Sequence, residues 1–198
     1  MVETLVLFVL AALPLMGSPG PATLSIAATS SVFGVVRTLP YMAGVVLGTS
    51  TVVLLIATGV TGLLFAIPGV LPILTGVALV YILYLAYKIG TAPILTEEAG
   101  TRPAPSLLGG WLLAVANPKA FAAIGAVFAS FVILPDRPVL DATVKSAAMF
   151  VIVVGVNGLW LILGAALSRV LRHPRTGRYI NIGFAVLLVL SVAMVALI

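Results

Sequence analysis

The chain of 198 residues contains no cysteine. That absence removes disulfides, thiolate metal ligands and thiol redox chemistry together. Charge is scarce as well: charged residues make up 8% of the sequence and hydrophobic residues 62%, whereas a soluble domain carries about 25% charged residues. Such a chain cannot cover itself with a solvated surface, and it reads as an integral membrane protein. Its longest polar stretch, Thr91 to Pro105, is too short for a soluble domain. The single histidine, His173 beside Pro174, reads as a solvated loop residue. The first apolar stretch has no basic n-region and begins at Glu3, so it is expected to stay as a membrane segment and not to act as a cleavable signal.

What the sequence does have is apolar length. Runs of roughly 20 apolar residues predict six membrane spans, at about Thr4–Ser30, Pro40–Ile67, Leu71–Lys88, Leu107–Leu134, Val144–Leu167 and Tyr179–Ile198. Pro68-Gly69 and Pro72 mark a tight turn before the third. No Asp, Glu or His stands within these spans except Glu3, at the very start of the first. Divalent metals want carboxylate, imidazole or thiolate ligands, so the pattern argues against a metal exporter. No nucleophile, base or metal constellation suggests an enzyme, and no cofactor is called for.

Lysine and arginine are unevenly placed. Arg37, Lys88, Arg102, Arg169, Arg172, Arg175 and Arg178 fall in the odd-numbered connections, against Arg137 and Lys145 on the other side. This bias puts the odd connections in the cytoplasm and both termini outside. It also explains the +5 net charge without a nucleic-acid partner. The arginine run 169–178 has a second reading, as a site for an anionic lipid or regulator.

Two proline-broken motifs interrupt the spans. Ser18-Pro19-Gly20-Pro21 lies in the first and Asn117-Pro118-Lys119 in the fourth, half a chain apart. The expected architecture is all-α: one membrane domain over 1–198, with halves about 1–90 and 107–198 joined by a cytoplasmic linker over about 91–106. Three spans per half is an odd number, so related halves must be inverted. A helix broken at membrane depth frees backbone groups that must face protein or a polar cavity. The first helix should stop near Gly17 and restart at Pro21, presenting the amides of Ala22, Thr23 and Leu24. In the second, Asn117 is expected as N-cap and Pro118 as first helical residue, freeing the amides of Lys119 and Ala120. Two helix starts aimed at one midplane cavity make an anion site suited to an amino-acid carboxylate. Carbonyls near Leu13 to Gly17 and Leu113 to Ala116 could take the ammonium. The alternative is that both prolines merely kink their helices.

Lys119 is the single most informative residue. A charge near the bilayer centre costs about 2.5–3.5 kcal/mol on insertion scales, so it is expected to face a cavity and to serve there, proton coupling included. The missing countercharge for a basic substrate favours neutral amino acids. Thr49 is a candidate cavity residue with Ser50 and Thr51, unless their hydroxyls bond their own backbone. Asn157 is read either as an interhelical hydrogen bond or as a substrate contact. Gly44-Val45-Val46-Leu47-Gly48 predicts close helix packing inside the protein or at a homodimer interface. Tyr81, Tyr84, Tyr87 and Lys88 read as an interfacial anchor or a gate.

Taken together, Ser18-Pro19-Gly20-Pro21, Gly44…Gly48, Tyr81-Ile82-Leu83-Tyr84-Leu85-Ala86-Tyr87-Lys88 and above all Asn117-Pro118-Lys119-Ala120 resemble the LysE/RhtB amino-acid exporters of bacteria. The resemblance covers nearly the whole chain. It implies export of amino acids or close derivatives across the bacterial inner membrane, in exchange for protons. Two positions depart from the pattern: Thr49 stands where many lysine-type members are acidic, and Ala129-Ser130-Phe131 where homoserine and threonine exporters usually read Pro-Gln-Phe. The rival reading within the wider superfamily is an exporter of envelope lipids, which should have a laterally open groove in place of a zwitterion-sized cavity.

Overall fold

The computed structural model describes residues 1–60, 67–91, 103–170 and 174–196, and every regular element among them is an α-helix. In chain order these are α1 (Val2–Gly17), α2 (Pro21–Ala57), α3 (Val70–Gly90), α4 (Leu107–Val115), α5 (Pro118–Ser130), α6 (Pro138–Val170) and α7 (Pro174–Ala196). Pro21–Ala57 and Pro138–Leu167 are long and apolar enough to cross a membrane, and α4 with α5, bent by 58° at their junction, are so only when taken together, as a broken span or a re-entrant loop. Val2–Gly17 is a shorter apolar helix. Most of the predicted linker, 92–102, and part of the arginine loop, with His173, lie outside the described residues.

At 37 residues, α2 would reach about 55 Å if straight, far beyond a hydrocarbon core of roughly 30 Å. It is not straight. Gly34 has φ 78° and ψ 170°, a region open essentially to glycine alone. The chain therefore turns there into two helical pieces, 21–33 and 35–57. This corrects the expected connection between Ser30 and Pro40: one glycine makes the turn, and Pro40 lies inside the second piece. The predicted turn before α3 is present, with Gly69 at φ 90° and Pro72 in the first helical turn, where no N–H is needed.

The glycine pair of the second piece packs inward. A Cβ on Gly44 would strike the Leu107 carbonyl, and one on Gly48 would lie 2.6 Å from the Trp111 carbonyl oxygen. Gly110 on α4 meets the Tyr41 carbonyl in return. The stripe is thus filled by α4 and offers no face to a second copy. On the 21–33 piece, Ser30 Oγ donates to the Leu161 carbonyl at 2.8 Å, and Tyr41 Oη donates to Ser25 Oγ at 3.0 Å. These bonds fasten that piece to α6 and to its own continuation.

Buried apolar side chains gather into two main clusters. One joins Leu24, Ile26, Tyr41, Val45, Leu85, Leu113 and Leu161. The other joins Phe8, Ala12, Val52, Ile124, Phe128, Met149 and Val153. Thr49 and Asn157 stand on the helices between them, and there the breaks meet.

Candidate functional site

Both breaks fall where the sequence puts them. α1 ends at Gly17 and α2 starts at Pro21; Asn117 caps α5, with Pro118 in its first turn. The two starts differ in what they leave open. At the first, Leu24 N–H bonds the Gly20 carbonyl at 2.9 Å and the Thr23 amide joins the cap at Gly20, while the amide of Ala22 has no acceptor among the described residues. At the second, the expectation of free amides fails. Lys119 N–H donates to Asn117 Oδ1 at 3.2 Å and Ala120 N–H to the Asn117 carbonyl at 3.0 Å. The asparagine that starts the helix consumes the amides it was expected to free.

What the second break contributes is the lysine side chain. Lys119 Nζ donates to the Ser18 carbonyl at 2.8 Å, to Ser18 Oγ at 2.8 Å and to the Pro19 carbonyl at 3.3 Å. An ammonium has three donors, and all three reach across to the first break. Gly20 leaves the lane they use: a Cβ there would lie 2.8 Å from Nζ and 2.9 Å from Cδ. The first break is braced further by Gly20 N–H to Thr23 Oγ1 at 3.0 Å and by Thr23 Oγ1 to the Ser18 carbonyl at 3.3 Å. Among the described residues no carboxylate pairs with Lys119; the ion pair present, Lys145 with Asp141, involves other residues.

A pocket with an empty volume of about 430 Å³, counting the space at its mouth, opens beside this junction. Gly20, Ala22, Thr23, Thr49, Asn117, Lys119 and Asn157 line it with an apolar wall of Leu15, Met16, Ala120, Ala123, Val153 and Val156. Ser18, Pro19, Pro21 and Pro118 are not on its wall; they set the backbone course around it. The structure thus brings together in one cavity seven of the residues singled out from sequence. Neighbouring hydroxyls separate cleanly: Ser50 bonds the Val46 carbonyl and Thr51 the Leu47 carbonyl, while Thr49 faces the pocket.

Comparison with known proteins gives this arrangement its setting. The family model described as "LysE type translocator" matches residues 13–198. The chain belongs to that family. Its relatives include proteins named cysteine/O-acetylserine efflux protein. That of Salmonella choleraesuis is 31% identical over 177 residues, covering 87% of each chain. That of Salmonella paratyphi A is 30% identical over the same length, and that of Escherichia coli K12 is 29% identical over 176 residues, with 87% coverage of each chain. No solved structure matches.

Other parts of this translocator could not be reached from its sequence pattern. Trp160 on α6 donates its Nε1 hydrogen to the Gly17 carbonyl at 3.1 Å, closing the end of α1. Asp141 and Lys145, expected before and at the edge of the fifth span, lie inside α6 and are buried. Their ion pair spans 2.7 Å. Asp141 Oδ1 accepts from the amides of Ile133 and Leu134, and Lys145 Nζ donates to the carbonyls of Phe128 and Phe131 while lying 5.1 Å from the Phe128 ring centroid. The pair therefore ties the end of α5 to the start of α6. Of the three tyrosines on α3, Tyr84 and Tyr87 are exposed and Tyr81 is half-buried.

Proposed function

We propose that this chain is a secondary active exporter of small, neutral, zwitterionic amino acids or close derivatives, moving them from the cytoplasm across the bacterial inner membrane by proton antiport. The observation that carries the reading is the Lys119 ammonium, held by neutral oxygens alone at the first break and lining a pocket without a carboxylate. A half-buried cation lacking a counter-ion attracts one. The α2 helix start adds the amide of Ala22 and the positive end of the helix dipole. A substrate carboxylate satisfies both. As it draws Lys119 away, the Ser18 and Pro19 carbonyls are released and become acceptors for the substrate ammonium. The zwitterion thus replaces the internal contact group for group, and the two breaks uncouple only when substrate arrives.

Alternating access suits the chain order. A broken helix followed by two more occurs as 2–17 with 21–33, 35–57 and 70–90, then as 107–115 with 118–130, 138–170 and 174–196. That order supports six spans as two inverted 3+3 repeats, with both termini outside. Proton coupling is assigned to Lys119, the one ionisable side chain on the pocket wall among the described residues.

The lipid-export reading keeps one supporting observation. A shallow groove of about 1060 Å³, counting the open space above it, runs along α3, lined by Ile73, Val77, Val80, Tyr81, Tyr84 and Leu112. It is wide and apolar enough for an acyl chain, but it gives Lys119 no task. Proteoliposomes loaded with labelled neutral, basic and acidic amino acids separate the two. Counterflow of neutral amino acids that responds to a pH gradient is expected. Failure of every amino acid would transfer the assignment to lipid.

A further inference from the structure

Two polar side chains in the pocket lack the partners that polar groups in membrane helices ordinarily find. Asn157 on α6 and Thr49 on the 35–57 piece are each 4% exposed. Among the described residues neither side chain bonds a protein group, and both line the cavity that holds Lys119. For Asn157 this decides between the two readings its position allows, since an interhelical hydrogen bond would have used the amide. For Thr49 the contrast lies in its own helix: Ser50 and Thr51 turn back to carbonyls four residues earlier, as helical hydroxyls do. Thr49 does not. Thr23, Asn117 and Lys119 bring the polar groups of the two breaks to the same cavity, and the wall is otherwise apolar, with Leu15, Met16, Ala120, Ala123, Val153 and Val156.

We infer that Asn157 and Thr49 are the specificity-determining residues of this exporter. They read the substrate side chain, selecting short, uncharged side chains that end in a hydrogen-bonding group over apolar side chains of equal shape. The inference rests on the exporter reading above, in which Lys119 takes the carboxylate. The physics of selection is asymmetric. An apolar pocket tolerates an added hydroxyl, whereas a site built to bond a substrate polar group rejects the analogue that leaves its own groups unpaired. Asn157 offers both donors and an acceptor and Thr49 a hydroxyl, so one substrate hydroxyl, ester or carboxamide can satisfy them. A charged side chain finds no opposite charge there beyond Lys119, which the carboxylate occupies.

The test uses shape-matched pairs in counterflow with the full chain: threonine against valine, serine against 2-aminobutyrate, asparagine against leucine. In the wild type the polar member of each pair is expected to exceed its partner in kcat/KM by about tenfold or more. Asn157→Leu and Thr49→Val, which keep volume and remove polarity, should each pull that ratio towards one. The ratio is read within one preparation, so poor insertion of a variant does not mimic the effect. A wild-type ratio near one, or a ratio untouched in both variants, overturns the inference while leaving amino-acid export standing. No counterflow of any amino acid in the wild type overturns the exporter reading and this inference with it.

Discussion

The Lys119 ammonium commits all three of its donors to the first break, so its removal should be felt at both helix ends at once. Bonds to a charged group are worth roughly 1.5–3 kcal/mol each. Lys119→Met is therefore expected to raise the apparent KM for a neutral amino acid by about 10-fold to 100-fold and to abolish the response of counterflow to a pH gradient. Unchanged KM and an intact pH response in that variant would reduce Lys119 to a structural strut. Asn117 acts on the same residue through the backbone, accepting from Lys119 N–H. Asn117→Ala should cost about 1 kcal/mol of stability as a lost N-cap, and Asn117→Ser should return most of it. Thermal denaturation in detergent checks both. These capping roles were legible from sequence, because Asn-Pro before an apolar run is a local signal. The bridge from Lys119 to Ser18 was not, because it joins residues half a chain apart that nothing local relates.

Among the elements, α2 depends on a conformation that one residue type supplies. A Cβ on Gly34 would meet nothing within 4 Å, so the cost of replacing it is a backbone cost alone. Gly34→Ala is expected to destabilise by roughly 1–3 kcal/mol, the range for a residue held in such a sparsely allowed region. Gly125 lies inside α5 and also has open space around its Cβ position. Gly125→Ala should stabilise by up to about 1 kcal/mol through helix propensity. Opposite shifts in melting temperature are the expected result, and equal ones would remove the backbone explanation. Sequence reading placed the flanking spans but not this turn, since a lone glycine among apolar residues looks the same in a helix and at a corner. The Asp141–Lys145 pair escaped for a different reason: loop and helix start are indistinguishable until the amides of Ile133 and Leu134 are seen to need an acceptor. Its buried side chains, 8% and 9% exposed, make single removal costly. Lys145→Met alone is expected to lose about 3–5 kcal/mol, and adding Asp141→Asn should restore part of it. A double-mutant cycle on thermal stability measures the coupling, and simple additivity would exclude it.

For the whole molecule the open issue is how the two halves sit across the membrane, and the absence of native cysteine makes this directly measurable. If the halves are inverted, the N-terminus and the start of α6 face one side, while the Gly34 corner and the start of α7 face the other. Val2, Val36, Val139 and Tyr179 mark those four places and are 68%, 77%, 80% and 75% exposed. Each can carry a single introduced cysteine with no background from the chain itself. The charge bias points to the same assignment, more strongly than the raw count suggests, because Lys145 is neutralised by Asp141 and only Arg137 of that pair of positions then counts. In intact cells, a membrane-impermeant maleimide should label Val2→Cys and Val139→Cys. It should reach Val36→Cys and Tyr179→Cys only after permeabilisation. Labelling of Val36→Cys with Val2→Cys on one side would mean that the helices 2–17 and 21–33 do not together cross the bilayer. The first break would then be a re-entrant corner, the inverted relation between halves would fail, and Lys119 would be bridging to a surface and not to the midplane.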